Sequence, residues 1–215
     1  MTSSSVAAQR VAARVLRAGA LALAVACATG VAVAQTRAAG AVTAAPFLSI
    51  GITAGGDRIA TYDVSGGFGG FDRRTIRGGG IVDLRAGADW TLGGPWGLQT
   101  SIGWHSDSVD ASNGDAEFRR FPLEVLGTYR LAGTQARVLG GLRFPLSSKF
   151  SESGAAGNTR LNLDSSAGLV VGAEWLWTQV GLRVSASLGE RYRPSGGGAS
   201  VSGDHVGVWG TYYFR

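Results

Sequence analysis

The chain has 215 residues, enough for one domain or two small ones. Charged residues make up only 16% of it, below the roughly 25% of a typical soluble domain, and 35 glycines without a collagen repeat indicate an all-β fold with many turns. The net charge of +5 is weak evidence for a nucleic-acid partner, because three arginines fall in an N-terminal segment with the features of an export signal.

Residues 1–34 are predicted to be a cleaved signal peptide. Three arginines precede an apolar run of small residues over 18–34, which ends in the Ala-Val-Ala pattern of a cleavage site. The alternatives are a transmembrane helix, for which the run is short, and lipidation of Cys27, for which Ala24 stands where Leu is usual. Cleavage lowers the net charge by three, to +2, and removes the only cysteine, so no disulfide is expected.

The rest of the chain shows the period-two alternation of β-strands. Residues 35–46 are small and polar and are predicted to be a short periplasmic linker. After the linker, apolar and polar side chains alternate in eight segments, and no long segment has the periodicity of a helix. The predicted strands are 47–54, 81–92, 96–106, 120–130, 136–146, 163–175, 180–192 and 205–215.

The connections between these segments alternate in length. Short turns are expected at 93–95, 131–134 and 177–178, and long loops at 57–79, 106–117, 147–160 and 194–204. An even number of strands with short turns at one end and long loops at the other is typical of a closed meander. The sequence therefore predicts that 47–215 is an all-β domain, an eight-stranded antiparallel up-and-down β-barrel.

Aromatic residues indicate which face of these strands points outward. A soluble lipocalin-like barrel would bury its apolar row, whereas a membrane barrel would turn that row toward lipid. Trp96 and Trp104 are eight residues apart, roughly 20 Å of height, which fits an apolar band between two aromatic girdles. The predicted girdle residues are Trp90, Trp96, Trp104, Phe121, Tyr129, Phe144, Trp175, Tyr192, Tyr212 and Phe214.

The polar row is then expected to line the interior. An eight-stranded barrel is only wide enough for its own side chains, so charges of both signs should pair there. A plugged structural core is favoured over an open pore. The predicted network residues are Asp83, Arg85, Asp89, Glu124, Arg130, Arg137, Arg143, Asp164, Glu174, Arg183 and Arg191.

Three segments resemble the small outer-membrane β-barrel proteins of Gram-negative bacteria, of the OmpA/OmpX-like, porin-domain type. They are FRRFPLEVLGTYR, SSAGLVVGAEW and the tail GVWGTYYFR, and the resemblance covers 47–214. It implies a monomer, with the barrel-assembly machinery and periplasmic chaperones as partners during biogenesis and outer-membrane lipid and lipopolysaccharide as partners afterwards. The family usually ends on an aromatic residue, whereas Arg215 follows Phe214 here.

No motif predicts a catalytic, metal or cofactor site. His105, Ser106 and Asp107 are adjacent, but neighbouring strand residues point to opposite faces, unlike the Ser/His arrangement of outer-membrane lipid A deacylases. Four acidic residues within 106–117 lack the spacing of a calcium loop.

The expected function is therefore non-catalytic. The chain is predicted to be an exported, integral outer-membrane protein that serves envelope integrity, adhesion or recognition through its external loops, without a nucleic-acid partner or cofactor. The alternatives are a narrow porin-like channel, a lipid A-modifying enzyme and a soluble ligand-binding barrel.

Overall fold

A computed structural model describes residues 42–65, 71–111, 114–154 and 157–215 of the chain. The predicted signal peptide and Cys27 lie outside this part. None of the described residues belongs to a helix with the length and hydrophobicity that crossing a bilayer requires. The described strands are β1 (Thr43–Gly55), β2 (Arg58–Ser65), β3 (Phe71–Arg77), β4 (Val82–Gly93), β5 (Trp96–Ala111), β6 (Gly114–Arg130), β7 (Ala136–Gly154), β8 (Gly157–Ser165), β9 (Gly168–Trp177), β10 (Val180–Leu188), β11 (Arg191–Pro194), β12 (Val201–Ser202) and β13 (His205–Tyr213).

Eight of these strands close into a cylinder. Their order is β9-β10-β13-β1-β4-β5-β6-β7, and β7 pairs back onto β9, with every pair antiparallel. The last strand lies beside the first, so that Phe47 faces Tyr213 and Gly55 faces His205. This topology confirms the predicted eight-stranded up-and-down barrel and its resemblance in fold to small outer-membrane barrels.

The strands extend further than the sequence pattern predicted. β1 begins at Thr43, so the last residues of the predicted 35–46 linker are strand instead. The predicted loop over 106–117 is largely a continuation of β5 and β6, and 147–160 is largely a continuation of β7 into β8. Within 57–79, β2 and β3 pair as a separate hairpin.

Side chains alternate between the two faces of the barrel wall. In β13 the buried positions are His205, Gly207, Trp209, Thr211 and Tyr213, and the positions between them are exposed. Apolar residues dominate the exposed row, and the charged residues of the barrel strands are mostly buried. The barrel therefore has a polar inside and an apolar outside, the reverse of a soluble domain.

The alternation changes phase at Gly189, between β10 and β11. Gly189 has a φ of 82°, and the chain there gains one residue relative to a regular strand. As a result, Glu190 and Tyr192 point inward and Arg191 points to solvent. The predictions that Arg191 lines the interior and that Tyr192 belongs to a girdle are therefore wrong, since a shift of one residue exchanges the two faces.

A second phase change separates β8 from β9 at Ser166 and Ala167. Leu163 and Ser165 share the inner face of β8, whereas Gly168 and Val170 are the buried positions of β9. Asp164 is consequently exposed, which corrects its predicted place in the interior.

Arg130 is also exposed, although its position agrees with the inward row. It is the last residue of β6, at the rim next to the turn, and its cross-strand neighbour is the buried Arg137. Two directly opposed guanidinium groups repel each other, and at the rim only one of them is held inside. The prediction of an interior Arg130 is therefore wrong.

The other predicted girdle residues lie on the outer face. Trp104 and Tyr129 are half-buried, and Trp96 and Tyr129 pack with ring centroids 4.7 Å apart. The exposed members are Trp90, Trp96, Phe121, Phe144, Trp175, Tyr212 and Phe214.

Trp209 is the largest side chain that is fully buried in the barrel. Its indole ring lies against Gly51 of β1, where an added Cβ atom would come within 2.1 Å of the ring atom Cδ1. The guanidinium carbons of Arg85 and Arg183 lie 4.5 and 5.4 Å from the ring centroid. Gly51 is thus required by a close approach.

We expect Gly51→Ala to destabilise the folded barrel, because the added methyl group displaces Trp209 from a filled interior. Overpacking of this kind costs about 1–3 kcal/mol. The measurement is the urea midpoint of the chain refolded in lipid vesicles. Gly210→Ala is the matched control, since an added Cβ there meets nothing within 4 Å. Equal midpoints for the two variants would contradict the prediction.

Candidate functional site

The barrel interior holds a network of paired charges, which is the main polar feature of the molecule. Among the described residues the network contains five arginines and five carboxylates, all buried. The arginines are Arg85, Arg120, Arg137, Arg143 and Arg183, and the carboxylates are Asp83, Asp89, Glu124, Glu174 and Glu190. Equal numbers of opposite charges allow every group to be compensated inside the barrel, where an unpaired charge is costly.

The cluster nearest the short turns is centred on Arg137. Its guanidinium donates to Asp89 at 2.7 Å and to Glu174 at 2.8 Å. The Tyr213 hydroxyl accepts from Arg137 at 2.7 Å and donates to Glu174 at 2.6 Å. These charge-assisted bonds connect β4, β7, β9 and β13 across the cylinder.

The middle cluster is built around Asp83 and Glu124. Arg85 donates to both oxygens of Asp83, at 2.7 and 2.8 Å, and to Glu124 at 2.5 Å. Arg143 lies 2.7 Å from Asp83 and 3.0 Å from Glu124. Arg183 approaches Glu124 at 3.4 Å. Glu124 therefore lies among three guanidinium groups and is their shared counter-charge.

The cluster nearest the long connections is centred on Arg120 and Glu190. The two side chains form an ion pair at 2.6 Å, and the Tyr192 hydroxyl bonds to both of them. Ser187 also donates to Glu190, at 2.6 Å. Arg143 lies 3.5 Å from Glu190 and thereby links this cluster to the middle one.

Two buried histidines complete the network as neutral groups. His105 Nδ1 lies 2.6 Å from the Arg120 guanidinium, which can only donate, so the ring proton belongs on Nε2, 2.9 Å from Thr53 Oγ1. His205 Nδ1 lies 2.8 Å from the Gly203 carbonyl oxygen, and its Nε2 accepts from Arg143 at 2.7 Å. Each ring thus has one donor role and one acceptor role, assigned from its partners.

Eight of the eleven predicted network residues lie inside, and Arg130, Asp164 and Arg191 lie outside. The sequence pattern missed Arg120 and Glu190. Arg120 shares the parity of Glu124 in one unbroken strand, so alternation alone indicates its position. Glu190 follows the phase change at Gly189, and period-two counting assigns it to the wrong face.

An apolar cluster closes the barrel above the network, at the end with the long connections. The hairpin of β2 and β3 packs over this end and contributes Ile76. Next to the cluster, burial and the Glu152 carboxylate raise the pKa of Tyr62 to about 12. The buried members of the cluster are Ile76, Val109, Ala116, Phe118, Phe150 and Tyr192. The inside of the barrel is thus sealed by side chains at this end.

The sequence His105-Ser106-Asp107 does not form a nucleophile pair. His105 faces inward, whereas the Ser106 hydroxyl donates to Glu117 on the outer face at 3.1 Å. Asp107 accepts from the backbone N–H of Arg77 at 2.8 Å. The Ser106 hydroxyl is therefore on the opposite side of the wall from the imidazole that would have to activate it.

No group of three or more His, Cys, Asp or Glu side chains among the described residues is arranged to hold a metal ion. The acidic residues expected in 106–117 are divided between the two faces. Asp107 is buried, whereas Asp110 and Asp115 lie opposite each other on the outer face.

Comparisons with known proteins give likenesses in fold alone. No family model and no curated protein matches the sequence. Two crystal structures of Ail, the attachment invasion locus protein of Yersinia pestis, match over 79% of this chain and 96% of Ail. The first has a TM-score of 0.47 and 12% identity. The second, a complex with the heparin analogue sucrose octasulfate, has a TM-score of 0.46 and 11% identity. Neisserial surface protein A matches with a TM-score of 0.44 and 8% identity over 80% of this chain and 97% of that protein.

We expect Glu124→Gln to destabilise the barrel by about 3–5 kcal/mol, because it leaves three buried guanidinium groups without their shared counter-charge. The measurement is the urea midpoint in lipid vesicles. Glu117→Gln is the matched control: Glu117 pairs with Arg119 at 2.9 Å on the outer face, where an ion pair contributes about 1 kcal/mol or less. A Glu124→Gln midpoint equal to that of the control would show that the network does not hold the barrel together.

Proposed function

We propose that this chain is an integral outer-membrane β-barrel protein with a structural or surface-interaction role and no catalytic activity. The observation that carries this proposal is the inverted wall of the barrel. Ile50, Ile52, Val184 and Val206 are each more than half exposed, and they belong to an apolar row that continues around the cylinder. A lipid bilayer is the solvent that satisfies such a surface, provided that the backbone groups are all paired within a closed sheet.

The filled interior supports a structural role over transport. The network crosses the cylinder at three levels, and the apolar cluster closes one end above it. An eight-stranded barrel has an interior just wide enough for its own side chains. The charged groups are engaged with each other, which leaves no row of free charges to conduct an ion.

The surface-interaction role rests on the strands that extend past the apolar row. β5, β6, β7 and β8 continue as a sheet above the ionic network, where β5, β6 and β7 contribute to the apolar cluster, and β2 and β3 add a hairpin. Their exposed polar faces are the surface that the long-connection end presents. As partners we propose outer-leaflet lipid and lipopolysaccharide, and the barrel-assembly machinery with periplasmic chaperones during biogenesis.

The test determines whether lipid or water surrounds the apolar outer face of the barrel. Val184 is 54% exposed in the middle of β10, and Val42 is 50% exposed just before β1. We expect Val184→Arg to lower the free energy of unfolding in vesicles by about 2–4 kcal/mol, since the charge lies near the bilayer midplane, and Val42→Arg to lower it by about 1 kcal/mol or less. A soluble barrel would tolerate both changes equally, and that result would overturn the proposal.

The filled interior also predicts that the barrel does not conduct ions. We expect the chain reconstituted in planar bilayers to show no discrete conductance steps, because charged and apolar side chains block the cylinder. Heat-modifiable gel mobility of the same sample is the control, since a folded membrane barrel resists SDS until it is boiled. Regular current steps from folded protein would favour the narrow channel instead.

A further inference from the structure

The pairing of three neighbouring strands is irregular at the same height of the wall. The pairing of β5 with β6 is interrupted opposite Pro122, which has no N–H to donate. Pro122 lies opposite Pro145 of β7, and the register between these strands shifts there, leaving Leu146 as an extra residue. A bulge bends the strand that carries it, so we expect β7 to change direction just above the apolar row.

The outer face at this bend forms a concave surface that encloses about 1180 Å³. Its lower wall is apolar and includes Ile102, Trp104 and Phe121 from the end of the apolar row. Its upper wall is the outer face of the extended sheet and carries Arg119, with the other charged and polar groups described below. Apolar and cationic groups therefore meet in one cavity.

Cross-strand pairs order the charges of the upper wall by height. Arg119 lies directly opposite Lys149, in the first polar row above Phe121. Glu117 lies in the next row together with Arg160, and Asp110 and Asp115 lie in the row after that. Arg119 and Lys149 are thus closest to the apolar wall, and the row of Asp110 and Asp115 is furthest from it.

The opposed pair of Arg119 and Lys149 requires a counter-charge. Like charges directly across an antiparallel pair destabilise the sheet. Glu117 compensates one of them, through its ion pair with Arg119 at 2.9 Å. Arg160, diagonal to Lys149 on β8, adds a third cation. A phosphate group satisfies this arrangement, because arginine binds its oxygens bidentately and lysine supplies a further charge.

We propose that this concave face binds one phosphorylated glycolipid of the outer leaflet, an inference that rests on the proposed membrane location. Its phosphate groups contact Arg119, Lys149 and Arg160, and an acyl chain lies against Ile102, Trp104 and Phe121. Ser151 and Asn162 lie in the two rows that carry these cations, and their hydroxyl and amide groups bind the sugar.

The apolar wall favours a lipid over a soluble polyanion. A sulfated or phosphorylated polysaccharide would use the cations but would leave Ile102, Trp104 and Phe121 uncovered. An acidic protein that filled the whole cavity would also meet the carboxylates Asp110 and Asp115, which line its upper end above the cations. A lipid at the membrane boundary contacts the apolar wall and the cations together, and its headgroup ends below the acidic row.

The test titrates bisphosphorylated lipid A into the chain folded in zwitterionic detergent and counts retained lipid by native mass spectrometry. We expect one lipid per chain, and an affinity lower by about tenfold or more for Arg119→Gln/Lys149→Gln, since tenfold corresponds to about 1.4 kcal/mol of lost interaction. Arg119→Lys/Lys149→Arg keeps the charge and should keep binding. Arg58→Gln/Arg130→Gln removes the same charge from exposed positions outside the cavity and should bind as the unchanged chain does.

Dephosphorylated lipid A should be retained weakly by every variant. Equal retention of both lipids, or an unchanged affinity of Arg119→Gln/Lys149→Gln, would overturn the proposal. So would soluble heparin that binds as tightly as lipid A and displaces it completely. Heat-modifiable mobility is measured on each sample, so a chain that folds as a barrel yet retains no phosphorylated lipid contradicts this inference and leaves the proposed membrane role standing.

Discussion

Charge compensation inside a closed cylinder is the constraint on which the rest of this structure depends. Turning the apolar row outward leaves the polar row to fill the interior, and there each guanidinium group needs a carboxylate within reach. Glu124 shows the consequence most clearly, since it lies among Arg85, Arg143 and Arg183. Because these residues come from β4, β6, β7 and β10, the network also fixes how the strands are placed around the axis.

The stability of such a fold has an unusual origin. A soluble domain gains most of its stability from a buried apolar core, but the largest buried apolar cluster in the described part of the chain lies above the ionic network, and two others contain three residues each. In the proposed membrane location, closure of the sheet matters more, because an unpaired backbone group in hydrocarbon costs several kcal/mol. The pairing of β1 with β13 over Phe47–Gly55 closes the ring of eight strands and leaves no free edge within it.

The sequence was sufficient for the architecture because period-two alternation, turn lengths and aromatic positions are all local signals. It failed where one extra residue reverses the alternation. Tyr192 and Arg191 exchange faces after Gly189, and Asp164 is displaced by the break at Ser166 and Ala167, although the residue types on both sides remain typical of a strand. The hydrogen bonds that stabilise this break join Ser166 to Gly189 and Arg191 of the next strand, and no local pattern reveals such a pairing.

The same irregularities determine where the molecule can interact with other molecules. In an ideal barrel the strands would continue straight past the apolar row, and the outer face would be convex at every height. Pro122, Pro145 and the extra Leu146 interrupt the regular pairing where the apolar row ends, and Arg119, Lys149 and Trp104 line one cavity there. Paired charges occupy the interior, and Phe118 and Tyr192 close its upper end. The surfaces available to a binding partner are therefore the outer face of the extended sheet and the connections above it. Departures from regular strand geometry therefore mark the parts of this barrel that are free to acquire a specific partner.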